Sequence, residues 1–270
     1  TPVSAVNPHY LRFTAKQAGQ GFSNKAYDGI HLEKDHTYKV SFYARCVGYE
    51  GDGFQITVQK DGKIFAQAEV KVVKPVPYVP FCDLKIPMEI GYGTLSSDIE
   101  KIHRMDQSGK CRRSEWIKYE MVLVAVDNVR GAQFAIMLDA PGIVEFDLIS
   151  MIPEDAVAGI FRKDLFEALQ AIKPGFVRFP GGCIVEGISL DNRYYWKNTV
   201  GDVKDRRYIP NLWAFDDDWG KNDPMTKRPD AHYGQSFGLG FYEYFLLCEL
   251  LGAKPLPVLN IGTACQFRST

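Results

Sequence analysis

The stretch Lys173-Pro-Gly-Phe-Val-Arg-Phe-Pro-Gly-Gly-Cys183 decides how the chain is read. Just upstream, Phe161, Leu165, Leu169 and Ile172 recur at helical spacing, and Pro174-Gly175 stops that helix. Phe176-Val177-Arg178-Phe179 then reads as a buried strand, and Gly181-Gly182 lets the backbone turn tightly and approach a ligand. The order repeats downstream. Residues 240–251 form a second amphipathic segment with Phe241, Tyr244, Phe245 and Cys248 on one side, Gly252 caps it, and Pro257-Val258-Leu259-Asn260 is predicted as the next strand. Helix, strand, long loop, helix, strand is the grammar of a parallel α/β fold. Residues 153–270 are too few to close an eight-stranded barrel, which takes roughly 250 residues, so an incomplete (β/α)8 barrel is expected.

The first half has another period. Residues 9–15, 38–44, 54–58, 64–72, 116–126, 133–138 and 143–149 alternate apolar and polar, which predicts an antiparallel, jelly-roll-like β-sandwich over residues 1–152. Asp61-Gly62 marks a two-residue hairpin, because both central residues of a type I′ turn need positive φ. Ala140-Pro141-Gly142 marks another turn. Residues 74–113, with Pro75, Pro77, Pro80 and Pro87 and little periodicity, read as a surface insertion.

Composition narrows the function. At 270 residues, 46% hydrophobic and 24% charged, the chain is globular and long enough for two ordinary domains. Its formal net charge of -1 supplies no field for nucleic acid or an anionic membrane, so neither is an expected partner. An apolar run long enough to cross a bilayer and a signal peptide are both absent from the sequence. Its aromatic content suits sugar faces and fills cores equally well. Cys46, Cys82, Cys111, Cys183, Cys248 and Cys265 lack CxxC spacing, so no metal or cofactor is expected; Cys82 and Cys111 flank the insertion and could bridge it.

Candidate chemistry gathers at predicted strand ends, where α/β barrels build their active sites. Arg178 is a permanent cation able to keep a neighbouring carboxylate ionised; an ordinary turn holding an ion pair fits it equally well. Cys183 has no histidine nearby to act as its base, so it is read as a neutral lining residue. Trp196, Trp213 and Trp219 lie in the loop 184–237, a natural sugar platform, and Asp216-Asp217-Asp218 reads as a solvated turn. Asn260 either donates to a sugar hydroxyl or satisfies its own turn. Glu186 is a weak candidate acid, and Glu243 falls within a helix. Gly238-Leu239-Gly240 lacks the context of a dinucleotide site.

Taken in order, Lys173 to Cys183, Tyr195-Trp196-Lys197, Asn211-Leu212-Trp213, Phe237-Gly-Leu-Gly-Phe-Tyr-Glu-Tyr-Phe245, Cys248-Glu249, Leu251-Gly252-Ala253 and Pro257-Val258-Leu259-Asn260-Ile261-Gly262 resemble the family 51 α-L-arabinofuranosidases. Asn7-Pro8-His9-Tyr10, Tyr27-Asp28-Gly29-Ile30 and Trp116-Ile117-Lys118-Tyr119-Glu120 resemble the carbohydrate-binding-like sandwich of that family. The resemblance implies a secreted or periplasmic glycosidase that removes terminal α-L-arabinofuranosyl groups from arabinan or arabinoxylan by a retaining, two-glutamate mechanism. It implies that both glutamates lie on later strands and that the first barrel strand precedes Thr1. It assigns Arg178 the support of the nucleophile's charge, and Gly182, Cys183, Trp213 and Asn260 the sugar subsite. Many members carry asparagine where Cys183 stands, an exchange of an amide for a weak donor. A non-catalytic carbohydrate-binding protein and a barrel hydrolase acting on xylosides or glucosides are the alternative readings. Unpaired strand edges are expected to make residues 1–270 poorly soluble alone.

Overall fold

A computed structural model describes residues 2–73, 115–210 and 234–265. The anticipated insertion at 74–113, the Cys82–Cys111 pairing, Trp213, Trp219 and the aspartates 216–218 lie outside these residues. Contacts divide the chain into two units: residues 10–154, and residues 1–9 together with 155–270. The first nine residues group with the second unit rather than with the sandwich that follows them. Asn7 accounts for this: its amide donates to the Lys204 and Arg206 carbonyls at 3.0 and 2.6 Å, and its oxygen accepts from Tyr208 N at 2.8 Å.

The first unit is a β-sandwich built from β1 (Leu11–Ala15), β2 (Gly21–Asn24), β3 (Ile30–Leu32), β4 (Thr37–Val47), β5 (Gly53–Lys60), β6 (Lys63–Lys71), β7 (Ile117–Val124), β8 (Val129–Leu138) and β9 (Gly142–Pro153). One sheet has the order β1-β9-β4-β7; the other has β2-β8-β5-β6, with β3 also on β8. All pairs are antiparallel. The short β2 and β3 escaped the sequence reading because three or four residues carry too little alternation to register. At the hairpin between β5 and β6, Asp61 and Gly62 take φ of 49° and 78°, the positive values their sequence predicts.

Alternation explains the core. On β4, Tyr38, Val40, Phe42, Ala44 and Cys46 point inward, meeting Phe54 and Ile56 of β5 and Val144 and Phe146 of β9. Phe42, Phe54 and Phe146 pack with ring centroids 5.4 to 6.1 Å apart, in tilted and edge-on geometries that aromatic quadrupoles favour.

The opposite face of the first sheet carries a charged row. Arg12, Glu145 and Arg45 are cross-strand neighbours on β1, β9 and β4. Glu145 is fully buried and accepts from Arg12 Nε at 3.0 Å and from Arg45 Nε at 2.7 Å. The Arg45 guanidinium lies 4.5 Å from the Trp116 ring centroid, a cation–π contact. Two cations flanking one carboxylate satisfy it, but removing it strands Arg45 in a buried setting. Glu145→Ala is therefore expected to cost about 3 to 5 kcal/mol of folding stability, read by urea denaturation; a loss below about 1 kcal/mol would refute the role given to this carboxylate.

In the second unit, α1 (Lys163–Ile172) precedes β10 (Phe176–Phe179), and α2 (Cys183–Glu186) is a single turn. Residues 196–199 and 203–205 form 3₁₀ turns, β11 (Ile209–Pro210) pairs antiparallel with β12 (Gly234–Gln235), and α3 (Phe241–Leu251) leads into β13 (Lys254–Pro257). Strands β10 and β13 are parallel, with α3 in the crossover between them. Four sequence expectations need correction here. Phe161 lies outside α1, and Leu165, Leu169 and Ile172 are exposed, leaving Phe166 as the buried residue of that helix. The β10 strand is buried only in part: Phe179 is buried and Val177 half-buried, whereas Phe176 and Arg178 are exposed in a sheet of two strands. The second strand is Lys254–Pro257 rather than 257–260, because Lys254 N and Val258 N bracket the pairing by donating to the Gly175 and Phe179 carbonyls. Phe245, expected on the buried side of the second helix, is 43% exposed.

Candidate functional site

Because β10 and β13 are parallel, their carboxyl ends open on the same side and their exit loops meet there. After β10 the chain passes the cis Phe179-Pro180 bond and then Gly181 and Gly182, with φ of 76° and 60°. The Arg178 guanidinium runs alongside Gly181, 2.3 Å from where a Cβ would lie, and as the end of a flexible exposed side chain it could swing aside, so the demand for glycine there comes from the positive φ. The loop after β13 is fastened to α2. Asn260 Nδ2 donates to the Val185 and Thr263 carbonyls at 2.8 Å each, its oxygen accepts from Gly262 N at 2.7 Å, and Cys265 N donates to Gly187 O at 3.0 Å. Of the two readings open for Asn260, the structure realises the turn: the amide clasps two loops together.

These bonds bring Cys183, Glu186 and Cys265 into one cluster, their sulfur and carboxylate atoms all within 4.8 Å of one another. Cys183 and Glu186 are half-buried and Cys265 is buried. Burial, the Cys265 thiol and the Glu186 carboxylate together push the Cys183 thiol up, which disfavours the thiolate that a nucleophile would need. Arg178 is exposed, and among the described residues no carboxylate pairs with it. Gly182 is exposed and heads α2. The structure thus brings Arg178, Gly182, Cys183 and Asn260 to neighbouring strand ends, while Trp213 lies outside the described residues. Cys265 carries no sequence signal as a site residue, because it reaches Cys183 only through the bonds that fasten the loop after β13 to α2, its own N–H to Gly187 O among them.

Behind these loops α3 is anchored by a buried ion pair. Arg206 donates to both Glu243 oxygens, at 2.9 and 2.8 Å, and to the Phe237 and Gly201 carbonyls. Glu243 also accepts from Gly240 N at 2.7 Å, and the Thr199 hydroxyl accepts from Phe241 N at 3.0 Å, so the first turn of the helix is satisfied. A Cβ on Gly240 would sit 1.8 Å from the Thr199 carbonyl. An open groove of about 660 Å³ beside this anchor is lined by Trp196, Val203, Phe241, Tyr242 and Phe245; Arg206 and Glu243, which also line it, are committed to each other. Glu243 is therefore structural.

Four similarities to known proteins accompany these features. Residues 168–270 match the profile of the alpha-L-arabinofuranosidase 1 domain. Over 246 residues the chain is 31% identical to alpha-L-arabinofuranosidase 1 of Arabidopsis thaliana, covering 90% of this chain and 28% of that protein. An extracellular exo-alpha-L-arabinofuranosidase of Streptomyces chartreusis is 35% identical over 165 residues, 56% of this chain and 18% of its own length. The fold matches that of a family 51 α-L-arabinofuranosidase solved with arabinose bound, with TM-score 0.72 at 22% identity over 100% of this chain and 36% of that one. The class so defined is glycoside-hydrolase-like. Within it, the chain is a segment resembling the family 51 arabinofuranosidases, spanning less than a third of the length of the plant relative.

Burial alone would raise the Glu243 carboxyl, but the hydrogen bonds from Arg206 and Gly240 outweigh it and the carboxyl is held below its usual range. A depressed folded value contributes stability that is complete above the unfolded carboxylate range and is lost as pH falls through the folded value. Unfolding of the second unit should therefore steepen on acidification, and Glu243→Gln should flatten that acid limb; an unchanged pH profile would contradict the assignment.

Proposed function

We propose that the protein to which this chain belongs is a retaining α-L-arabinofuranosidase that removes terminal arabinofuranosyl groups from arabinan or arabinoxylan. The observation that carries this reading is the convergence of the loops after β10 and β13 within the very segment that matches the arabinofuranosidase domain profile. In this proposal residues 1–152 supply a carbohydrate-binding-like sandwich. Residues 153–270 begin a (β/α)8 barrel in which β10 and β13 are successive strands. A neutral substrate accords with the formal net charge of -1. The extracellular Streptomyces relative supports a secreted or periplasmic location, and no helix among the described residues is long and apolar enough to cross a bilayer.

Chemistry follows from two carboxyl groups about 5 to 5.5 Å apart. One protonates the glycosidic oxygen as the other attacks the anomeric carbon, and the C–O bond to the leaving group breaks as the glycosyl ester forms. Water, deprotonated by the first carboxylate, then cleaves that ester and restores the configuration. We place both glutamates outside these residues. Arg178, exposed at the end of β10, keeps the nucleophile ionised by its fixed positive charge. Gly182 allows close backbone approach, Cys183 presents a neutral wall, Trp213 offers an apolar ring to the sugar face, and Asn260 holds the second loop against the first.

The full-length protein is expected to release arabinose from a chromogenic α-L-arabinofuranoside, and Arg178→Ala to lower kcat/KM by about a hundredfold or more, as when one preorganised electrostatic group is removed. Preferential turnover of xylosides or glucosides would reassign the substrate. Sugar binding without turnover of any glycoside would replace the enzyme with a carbohydrate-binding protein.

A further inference from the structure

The cluster of Cys183, Glu186 and Cys265 has a use that sugar binding does not require. We propose that these three side chains form a binding site for a thiophilic divalent cation, Zn²⁺ in the first instance, with the fourth coordination position open to water. The donor set carries the argument. Two sulfurs and one carboxylate oxygen lie mutually within 4.8 Å, whereas a tetrahedral zinc ion with Zn–S of about 2.3 Å and Zn–O of about 2.1 Å needs its donors roughly 3.5 to 3.8 Å apart. Side-chain adjustments of about 1 Å close that difference. Cys183 and Glu186 stand three residues apart at the two ends of α2, and Cys265 is delivered by the bond from its own N to Gly187 O at 3.0 Å. The scaffold is thus set by backbone hydrogen bonds independent of the ligand atoms.

On binding, both thiols lose their protons to solvent, two Zn–S bonds and one Zn–O bond form, and no electrons are transferred. The sequence gives no sign of this, because the two cysteines lie in separate exit loops. Since Cys183 also belongs to the proposed sugar subsite, zinc occupancy would suppress hydrolysis, but uptake is measured by itself and does not depend on that reading.

The test uses the reduced full-length protein and Zn²⁺ or Co²⁺ alone. One equivalent should bind with release of two protons, Co²⁺ should develop a thiolate charge-transfer band in the near ultraviolet, and Zn²⁺ should shield Cys183 and Cys265 from N-ethylmaleimide in the unmutated protein. Cys183→Ser and Cys265→Ser should abolish uptake, Glu186→Gln should weaken it by about tenfold or more, and Cys82→Ser with Cys111→Ser should leave it intact. Failure of the reduced protein to bind, uptake indifferent to Cys183→Ser and Cys265→Ser, or the absence of alkylation shielding would each overturn the proposal. So would a Cys183–Cys265 disulfide whose reduction yields no metal binding.

Discussion

The second unit depends on keeping one buried cation and one buried anion together. Arg206 comes from the turn after Val203, and Glu243 from the first turn of α3; neither could be buried alone without a penalty of several kcal/mol. Their bidentate bond fixes the start of α3, and α3 fixes where β13 begins. The remaining Arg206 donors bind the Gly201 and Phe237 carbonyls, so the irregular segments on either side are held by the same guanidinium. Everything proposed for the exit loops rests on strands whose register this pair helps to set.

The sandwich solves a similar problem differently. Its aromatic core would form from alternation alone, but a buried carboxylate on the outward side of a sheet needs charged neighbours on both sides, and the register of β1, β9 and β4 places arginines there. A slip of one residue would turn Glu145 inward among Phe42, Phe54 and Phe146. The charge row therefore discriminates between registers that the apolar residues alone would separate less sharply.

Legibility from sequence followed the range of the interactions. Asp61-Gly62, Gly252 and the alternating strands were readable because turn dihedrals, helix caps and pleat are local. The helical position of Glu243 is legible, but its partner Arg206 is not, since the pair is closed by folding across the long loop. The two readings of Asn260 are separated only by the position of Val185 O. The exposure of Phe176 and Leu165 was misread because apolar periodicity reports which face can be buried and carries no information on what covers it. The cluster around Cys183 belongs to the same category: three residues with no spacing signal meet through a clasp that no local pattern encodes.

The two prolines of β13 have a consequence for how the parallel pair can grow. Lys254 and Val258 direct their amides to β10, so the odd-numbered positions between them face the other edge, and there both Pro255 and Pro257 lack an N–H. That edge can accept hydrogen bonds but cannot return them at either position. The outer edge of β10, by contrast, presents complete peptide groups at Phe176 and Arg178. Extension of this sheet is therefore directional, and a stray strand from another molecule finds a matching ladder on one side only.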